Sequence, residues 1–109
     1  MTREEVNTLI ANFNLPYAYY QFKENTKQAP PYITFFFSEN RDVYADNSNY
    51  VDKEQLNIEL YTITRDFEIE KTIEDALKLN GFSYYKEYSF IDSEKLWQIA
   101  YEMEVIINE

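Results

Sequence analysis

The chain has 109 residues, a formal net charge of −10 at pH 7, one glycine, and neither cysteine nor histidine. The missing residue types exclude disulfides, the usual zinc and haem sites, and Ser-His-acid or Cys-His nucleophiles. One glycine cannot build a phosphate-binding loop, whose backbone must approach the phosphates without a Cβ in the way. We therefore expect a protein without catalytic activity and without a cofactor or metal.

Aromatic residues make up 18% of the chain, about twice the usual share, which argues against disorder despite the high charge. At this length we expect one domain spanning residues 1–109. The N-terminal sequence MTREEVNTLI carries charges where a signal peptide would be apolar, and no stretch is apolar enough to span a membrane. The acidic balance opposes binding to phosphate backbones and anionic membranes.

The first half of the chain predicts one helix and three strands. Thr2 and Glu5 have the spacing of a capping box, and Pro16 is expected to end the helix that follows. The apolar stripe of that helix is Val6, Leu9, Ile10 and Phe13. Strands are predicted at 17–22, 32–37 and 55–62, with the polar segment 38–53 as the long loop of a hairpin.

The second half predicts one helix and two strands. Asp66 is the expected N-cap and Gly81 the expected C-cap, with Glu68 and Glu70 in the first turn and an ion pair between Glu74 and Lys78. The expected buried stripe is Ile69, Ile73, Ala76 and Leu77. Alternating residues then predict strands at 82–90 and 96–107, joined by a turn at 92–94.

This order of elements favours the α+β class. We expect a largely antiparallel five-stranded sheet with two helices packed on one face, in the chain order α-β-β-β-α-β-β. Leu56, Ile58 and Leu60 should point to one side of their strand and Asn57, Glu59 and Tyr61 to the other, whereas Glu102 and Glu104 should lie on a solvated face.

Carboxylates are the only plentiful reactive groups. Glu102 and Glu104, about 7 Å apart at Cα on one strand face, could form the acid/base pair of a hydrolase, but a solvated strand face is the commoner explanation. The same holds for the acidic helix residues Glu68, Glu70, Glu74 and Asp75, which we interpret as a solvated face rather than a metal site. Asp42, Asp46, Asn47 and Asp52 lack the ligand spacing of a calcium loop.

The surplus of aromatic residues has two interpretations. Large side chains can fill a small core, with tyrosine hydroxyls at its margin. Alternatively, they form protein interfaces, where Tyr and Trp are enriched. The tyrosines that exceed what one small domain should cover are Tyr19, Tyr20, Tyr44, Tyr50, Tyr61 and Tyr85. An oligomer would cover them.

Three segments together resemble a known protein family. They are PYITFFFSENRDVYADNSNYVDKEQLNIELYT, the acidic helix DFEIEKTIEDALKLNGF and the ending KLWQIAYEMEVI. The chain from Pro31 onward is similar to the tail terminator, or tail completion, proteins of long-tailed bacteriophages and prophages of Gram-positive bacteria. The resemblance rests on this overall pattern and not on a chemically diagnostic motif.

The resemblance implies a structural virion protein of the tail or neck, assembled in the host cytoplasm. Such proteins form a ring, commonly a homohexamer, that ends tail growth, binds the major tail tube protein and joins the tail to the head-closure or connector protein. DNA passes through the ring without specific binding, and no membrane is involved. The residues that we expect at the assembly interface are Arg41, Tyr44, Asp46, Asn47 and Tyr50.

Two alternatives remain open at this point besides the hydrolase. The chain could be a head-closure or connector protein of the same neck region. It could also be a small acidic inhibitor that mimics DNA to occupy a host enzyme, although lysines such as Lys71, Lys78 and Lys86 interrupt its carboxylates. The acid excess motivates the mimic, whereas surplus tyrosines favour an assembly protein.

Overall fold

The computed structural model describes residues 1–22, 28–39 and 52–108. It has the α+β architecture predicted from the sequence, with a five-stranded mixed sheet and two helices. The elements are α1 (Arg3–Ala11), β1 (Tyr17–Tyr19), β2 (Tyr32–Glu39), β3 (Asp52–Thr62), α2 (Phe67–Leu79), β4 (Tyr84–Ile91) and β5 (Leu96–Ile107). In the described ranges, no helix is long and apolar enough to cross a membrane.

The sheet is mixed, and its spatial order is β1-β2-β3-β5-β4. The prediction of a largely antiparallel sheet is wrong for β1, which pairs in parallel with β2, whereas the other three pairings are antiparallel. Parallel neighbours need a connection of about a dozen residues, and the chain between Tyr19 and Tyr32 provides it. β5 lies between β3 and β4, so β1 and β4 form the two edges.

Both helices pack on the same face of the sheet. Val6 and Ile10 of α1 and Ile73 and Leu77 of α2 have no exposed surface and belong to one core cluster. The strands complete this core with Ile33, Phe35, Leu56, Ile58, Leu60, Ile99, Tyr101, Met103, Val105 and Ile107. The predicted common direction of Leu56, Ile58 and Leu60 is thereby confirmed, and that direction is into the core. β5 alternates between buried and exposed residues over its second half.

Local sequence signals account for the ends of both helices. The Thr2 hydroxyl accepts a hydrogen bond from the Glu5 N–H, and the Glu5 carboxylate accepts one from the Thr2 N–H, which confirms the capping box. Asp66 caps α2 by accepting from the Ile69 N–H, and Gly81, at φ +79°, follows the Asn80 C-cap. Helix α1 ends at Ala11 rather than at Pro16.

The hairpin of β2 and β3 is confirmed, and its strands are longer than predicted. Ser38 and Glu39 still pair with Gln55 and Glu54. β1, by contrast, stops at Tyr19 instead of continuing to residue 22, because Tyr20 adopts a left-handed φ of +70° that ends the extended conformation. β4 begins at Tyr84, two residues after the predicted start.

Candidate interaction surfaces

The five residues predicted for assembly lie outside the described residues. Arg41, Tyr44, Asp46, Asn47 and Tyr50 all belong to the segment that joins β2 to β3. Their role at an interface stays a prediction. The described residues present two other aromatic surfaces, one at each edge of the sheet.

The first surface lies at the β4 edge and is built around Arg65. The side chains of Phe67, Tyr88 and Phe90 are 66%, 59% and 40% exposed, although hydrophobic side chains of this size usually favour burial. Phe90 meets the indole of Trp97 edge to face at 5.3 Å. We call Arg65, Phe67, Tyr88, Phe90 and Trp97 the Arg65 surface.

The guanidinium of Arg65 holds the rings of this surface together. Its carbon lies 4.2 Å from the ring centre of Tyr88, 4.8 Å from that of Phe67 and 5.6 Å from that of Trp97. Cation–π attraction at these distances favours a fixed arrangement of the rings. Trp, Tyr and Arg are also the residue types that contribute most of the binding energy at protein interfaces.

A buried ionic cluster anchors Arg65 from below. Glu70 is only 1% exposed, and its carboxylate accepts two hydrogen bonds from Arg65, each of 2.9 Å. Lys86 of β4 lies 2.9 Å from the same carboxylate and 2.6 Å from that of Glu74. The hydroxyl of the fully buried Tyr101 donates to Glu74 at 2.7 Å. Two cations therefore balance two carboxylates, and α2 is fixed to β4 and β5.

The pKa shifts in this ionic cluster follow its geometry. Burial alone would raise the pKa of Glu70, but hydrogen bonds from Arg65 and Lys86 outweigh burial and hold that pKa below its usual value. Burial alone would lower the pKa of Lys86, but hydrogen bonds to Glu74 and Glu70 outweigh burial and raise that pKa above its usual value. For Tyr101, burial and the hydrogen bond to Glu74 both raise the pKa well above its ordinary value. The Glu70 carboxylate is thus held ionised and the tyrosine protonated.

The structure corrects the predicted helix surface. Glu70 and Glu74 do not lie on a solvated face, and Glu74 pairs with Lys86 instead of Lys78. The ion pair with i,i+4 spacing on α2 is Lys71 with Asp75 at 2.8 Å. A signal for the burial of Glu70 was present in the sequence, because residues 70, 73 and 77 share one helical stripe.

The second aromatic surface lies at the opposite edge, on β1. Tyr19 and Tyr20 are 52% and 63% exposed, as the surplus of tyrosines predicted. Their positions are nevertheless well defined: the Tyr19 ring packs edge to face on Phe35 at 5.3 Å, and its hydroxyl accepts from the Phe37 N–H. The Tyr20 ring lies 5.4 Å from that of Phe36. The two rings therefore lie at the same sheet edge but on opposite faces of the sheet, and we call this pair the Tyr19–Tyr20 surface.

The other tyrosines and carboxylates singled out from the sequence are either exposed or half-buried. Tyr85 is 61% exposed, as predicted, whereas Tyr61 is half-buried and stacks on Tyr32. Glu102 and Glu104 are exposed on the sheet face that carries no helix, which confirms their predicted position. Within the described ranges, no group of three acidic side chains is arranged to hold a metal ion.

Comparison with known proteins gives no relative from which a role could be transferred. No protein-family model, no curated protein and no solved structure matches the chain.

Proposed function

We propose that the chain is a structural virion protein without enzymatic activity, a tail-terminator subunit that forms a ring at the head-proximal end of a phage tail tube. The observation that carries this proposal is the presence of two different, exposed aromatic surfaces on opposite edges of one sheet. The resemblance of the sequence to tail terminator proteins supplies the biological setting. The proposed partners are further copies of the chain, the major tail tube protein and the head-closure protein.

The positions of the two surfaces favour head-to-tail assembly. Four strand-to-strand spacings separate β1 from β4, which places the edges about 19 Å apart across the sheet. A ring requires that one surface of a subunit bind a different surface of the next, repeatedly and with closure. The Arg65 surface and the Tyr19–Tyr20 surface differ in composition, so each can bind the other rather than itself.

The charge of the chain suits a ring through which DNA moves. Its net charge of −10 repels phosphate groups, so a genome can slide past the subunits without being held. The sheet face without helices also carries more carboxylates than ammonium groups, with Glu59, Glu87, Glu102 and Glu104 against Lys53. This balance supports passage of DNA and opposes its capture.

A pair of complementary variants tests the head-to-tail contact. One variant, Tyr19→Ser with Tyr20→Ser, retains only the Arg65 surface, and the other, Tyr88→Ser with Phe90→Ser, retains only the Tyr19–Tyr20 surface. Native mass spectrometry, alone and with the major tail tube protein, should show rings for the wild type and monomers for each variant. An equal mixture of the variants should form dimers and stop there.

The control is Leu79→Ser, which removes an 87% exposed apolar side chain from the end of α2, away from both surfaces, and should leave ring formation intact. Self-association of either variant alone would contradict the head-to-tail arrangement. A wild-type chain that stays monomeric even with tube protein would rule out the ring.

The role in the virion is tested by deleting the protein from a phage that encodes it. Electron microscopy should then show tails of uncontrolled length together with heads that lack tails. Tails of normal length that fail to attach to heads would instead indicate a head-closure protein. Normal infectious particles would refute a role in the neck.

A further inference from the structure

A groove of about 890 Å³ lies on the sheet face opposite the helices. Its walls include Tyr32 of β2 and Tyr61 of β3, which are direct neighbours across the hairpin. Their rings stack with centres 4.8 Å apart and an interplanar angle of 21°. Phe22 meets Tyr32 edge to face at 5.4 Å and extends the aromatic wall. We call this feature the Tyr32–Tyr61 groove.

Two carboxylates, Glu59 and Glu94, act on the two tyrosines, and Lys95 also lines the groove. Burial raises the pKa of Tyr32, and the nearby Tyr61 and Glu94 raise it further. Burial likewise raises the pKa of Tyr61, with added contributions from Glu59 and Glu94. Glu94 lines the groove, whereas Glu59 is bound to Thr34 in its wall. Among the described residues, two carboxylates therefore lie near the stacked rings, against the ammonium group of Lys95.

Glu59 lacks a cationic partner among the described residues. Its carboxylate accepts from the Thr34 hydroxyl at 3.2 Å and from the Gln98 amide at 3.0 Å, and both donors are neutral. Burial raises the pKa of Glu59, and the neighbouring Glu102 raises it further. The situation of Glu70 is the opposite, since two cations compensate that buried carboxylate.

We propose that the Tyr32–Tyr61 groove binds an arginine side chain presented by a partner protein. A planar guanidinium stacks on tyrosine rings and donates hydrogen bonds to flanking carboxylates, and it does both better than a compact ammonium group. Charge complementarity thus selects a cationic segment. The two carboxylates oppose a nucleic-acid strand, although stacked aromatic rings could otherwise bind its bases. This site goes beyond the proposed ring, and Tyr20 of the Tyr19–Tyr20 surface also lines it.

A lysine that lines the groove should weaken the binding of an arginine. Lys95 lies beside Glu94 in the turn before β5 and lines the same groove. Its positive charge opposes an incoming arginine, so Lys95→Gln should strengthen binding. Glu94→Gln should weaken it by about two- to fivefold, the factor typical of an exposed ion pair.

The test is an NMR titration of the full chain with the peptide acetyl-Gly-Arg-Gly-Arg-Gly-amide. Backbone amide signals of residues that line the groove, including Tyr32, Thr34, Tyr61 and Leu96, should shift progressively. A peptide with citrulline in place of arginine keeps the shape without the charge and should cause no such shifts. A lysine peptide should bind more weakly than the arginine peptide.

Two variants separate the groove from general charge attraction. Tyr61→Leu removes the stacked ring and should abolish the shifts, with retained amide dispersion showing that the variant is folded. Glu68→Gln removes one exposed carboxylate on α2, outside the groove, and should leave the affinity unchanged. Equal weakening by Glu68→Gln and Glu94→Gln would overturn the proposal, as would equal binding of the citrulline peptide or preferential binding of a single-stranded oligonucleotide. The NMR readout reports on the groove alone, whereas ring formation is tested separately by native mass spectrometry.

Discussion

Replacement of Glu70 by glutamine should destabilise the protein more than any surface substitution. The side chain keeps its size, but its negative charge is removed from a position only 1% exposed. Two hydrogen bonds from Arg65 and a contact with Lys86 then face a neutral amide. Glu74 remains as the single carboxylate for two cations.

The expected loss in the free energy of unfolding is about 3 kcal/mol. Removal of one partner from a buried ion pair typically costs about 3–5 kcal/mol, because the other charge is left without compensation. The lower end applies here, since the side chains of Arg65 and Lys86 are 17% and 28% exposed and can recruit water. The total free energy of unfolding of a native domain is about 5–15 kcal/mol, so the variant should remain folded but be markedly less stable.

Urea unfolding at pH 7, followed by circular dichroism, measures this difference. The midpoint should fall while the slope against urea stays unchanged, because the variant exposes the same surface on unfolding. Asp75→Asn breaks the exposed Lys71–Asp75 pair as a control and should have little effect. Exposed ion pairs contribute up to about 1 kcal/mol to the free energy of unfolding. A decrease for Glu70→Gln below that value would refute the argument that burial makes the ionic cluster strongly stabilising.

Further predictions concern pH, caps and packing. The pKa of Glu70 is lower in the folded state than in the unfolded state, where it is about 4.3. The stability that this shift contributes is therefore complete above about pH 4.3 and is lost as the pH falls below it. The stability gap between wild type and Glu70→Gln should therefore close in acid urea titrations. Gly81→Ala should cost about 1–2 kcal/mol at φ +79° and Gly81→Asn less, although a Cβ there meets no atom within 4 Å; thermal unfolding checks both. Thr2→Ala removes the capping box and should cost about 1 kcal/mol in the same assay. Leu77→Ala should cost about 2–5 kcal/mol by urea unfolding, because the side chain is fully buried between α2 and the sheet.

Features encoded within a few neighbouring residues could be predicted from the sequence. The capping box of Thr2 and Glu5, the N-cap at Asp66 and the glycine after α2 all depend on hydrogen bonds or backbone angles inside one turn. The alternation along β5 depends only on the two-residue period of a strand. Composition also indicated that tyrosines such as Tyr19 and Tyr85 exceed what one domain covers.

Features that join distant parts of the chain were decided by the tertiary structure. The parallel pairing of β1 and the position of β5 between β3 and β4 depend on the path of the whole chain, since hydrophobic alternation does not specify which strands become neighbours. Glu70 and Lys86 meet only because α2 packs over β4, and burial then converts two ordinary surface charges into an ionic cluster. The same folding places the Arg65 surface and the Tyr19–Tyr20 surface on opposite edges. Acidity and aromatic surplus are therefore properties of the sequence, whereas the sheet edge at which each aromatic surface lies is a property of the fold.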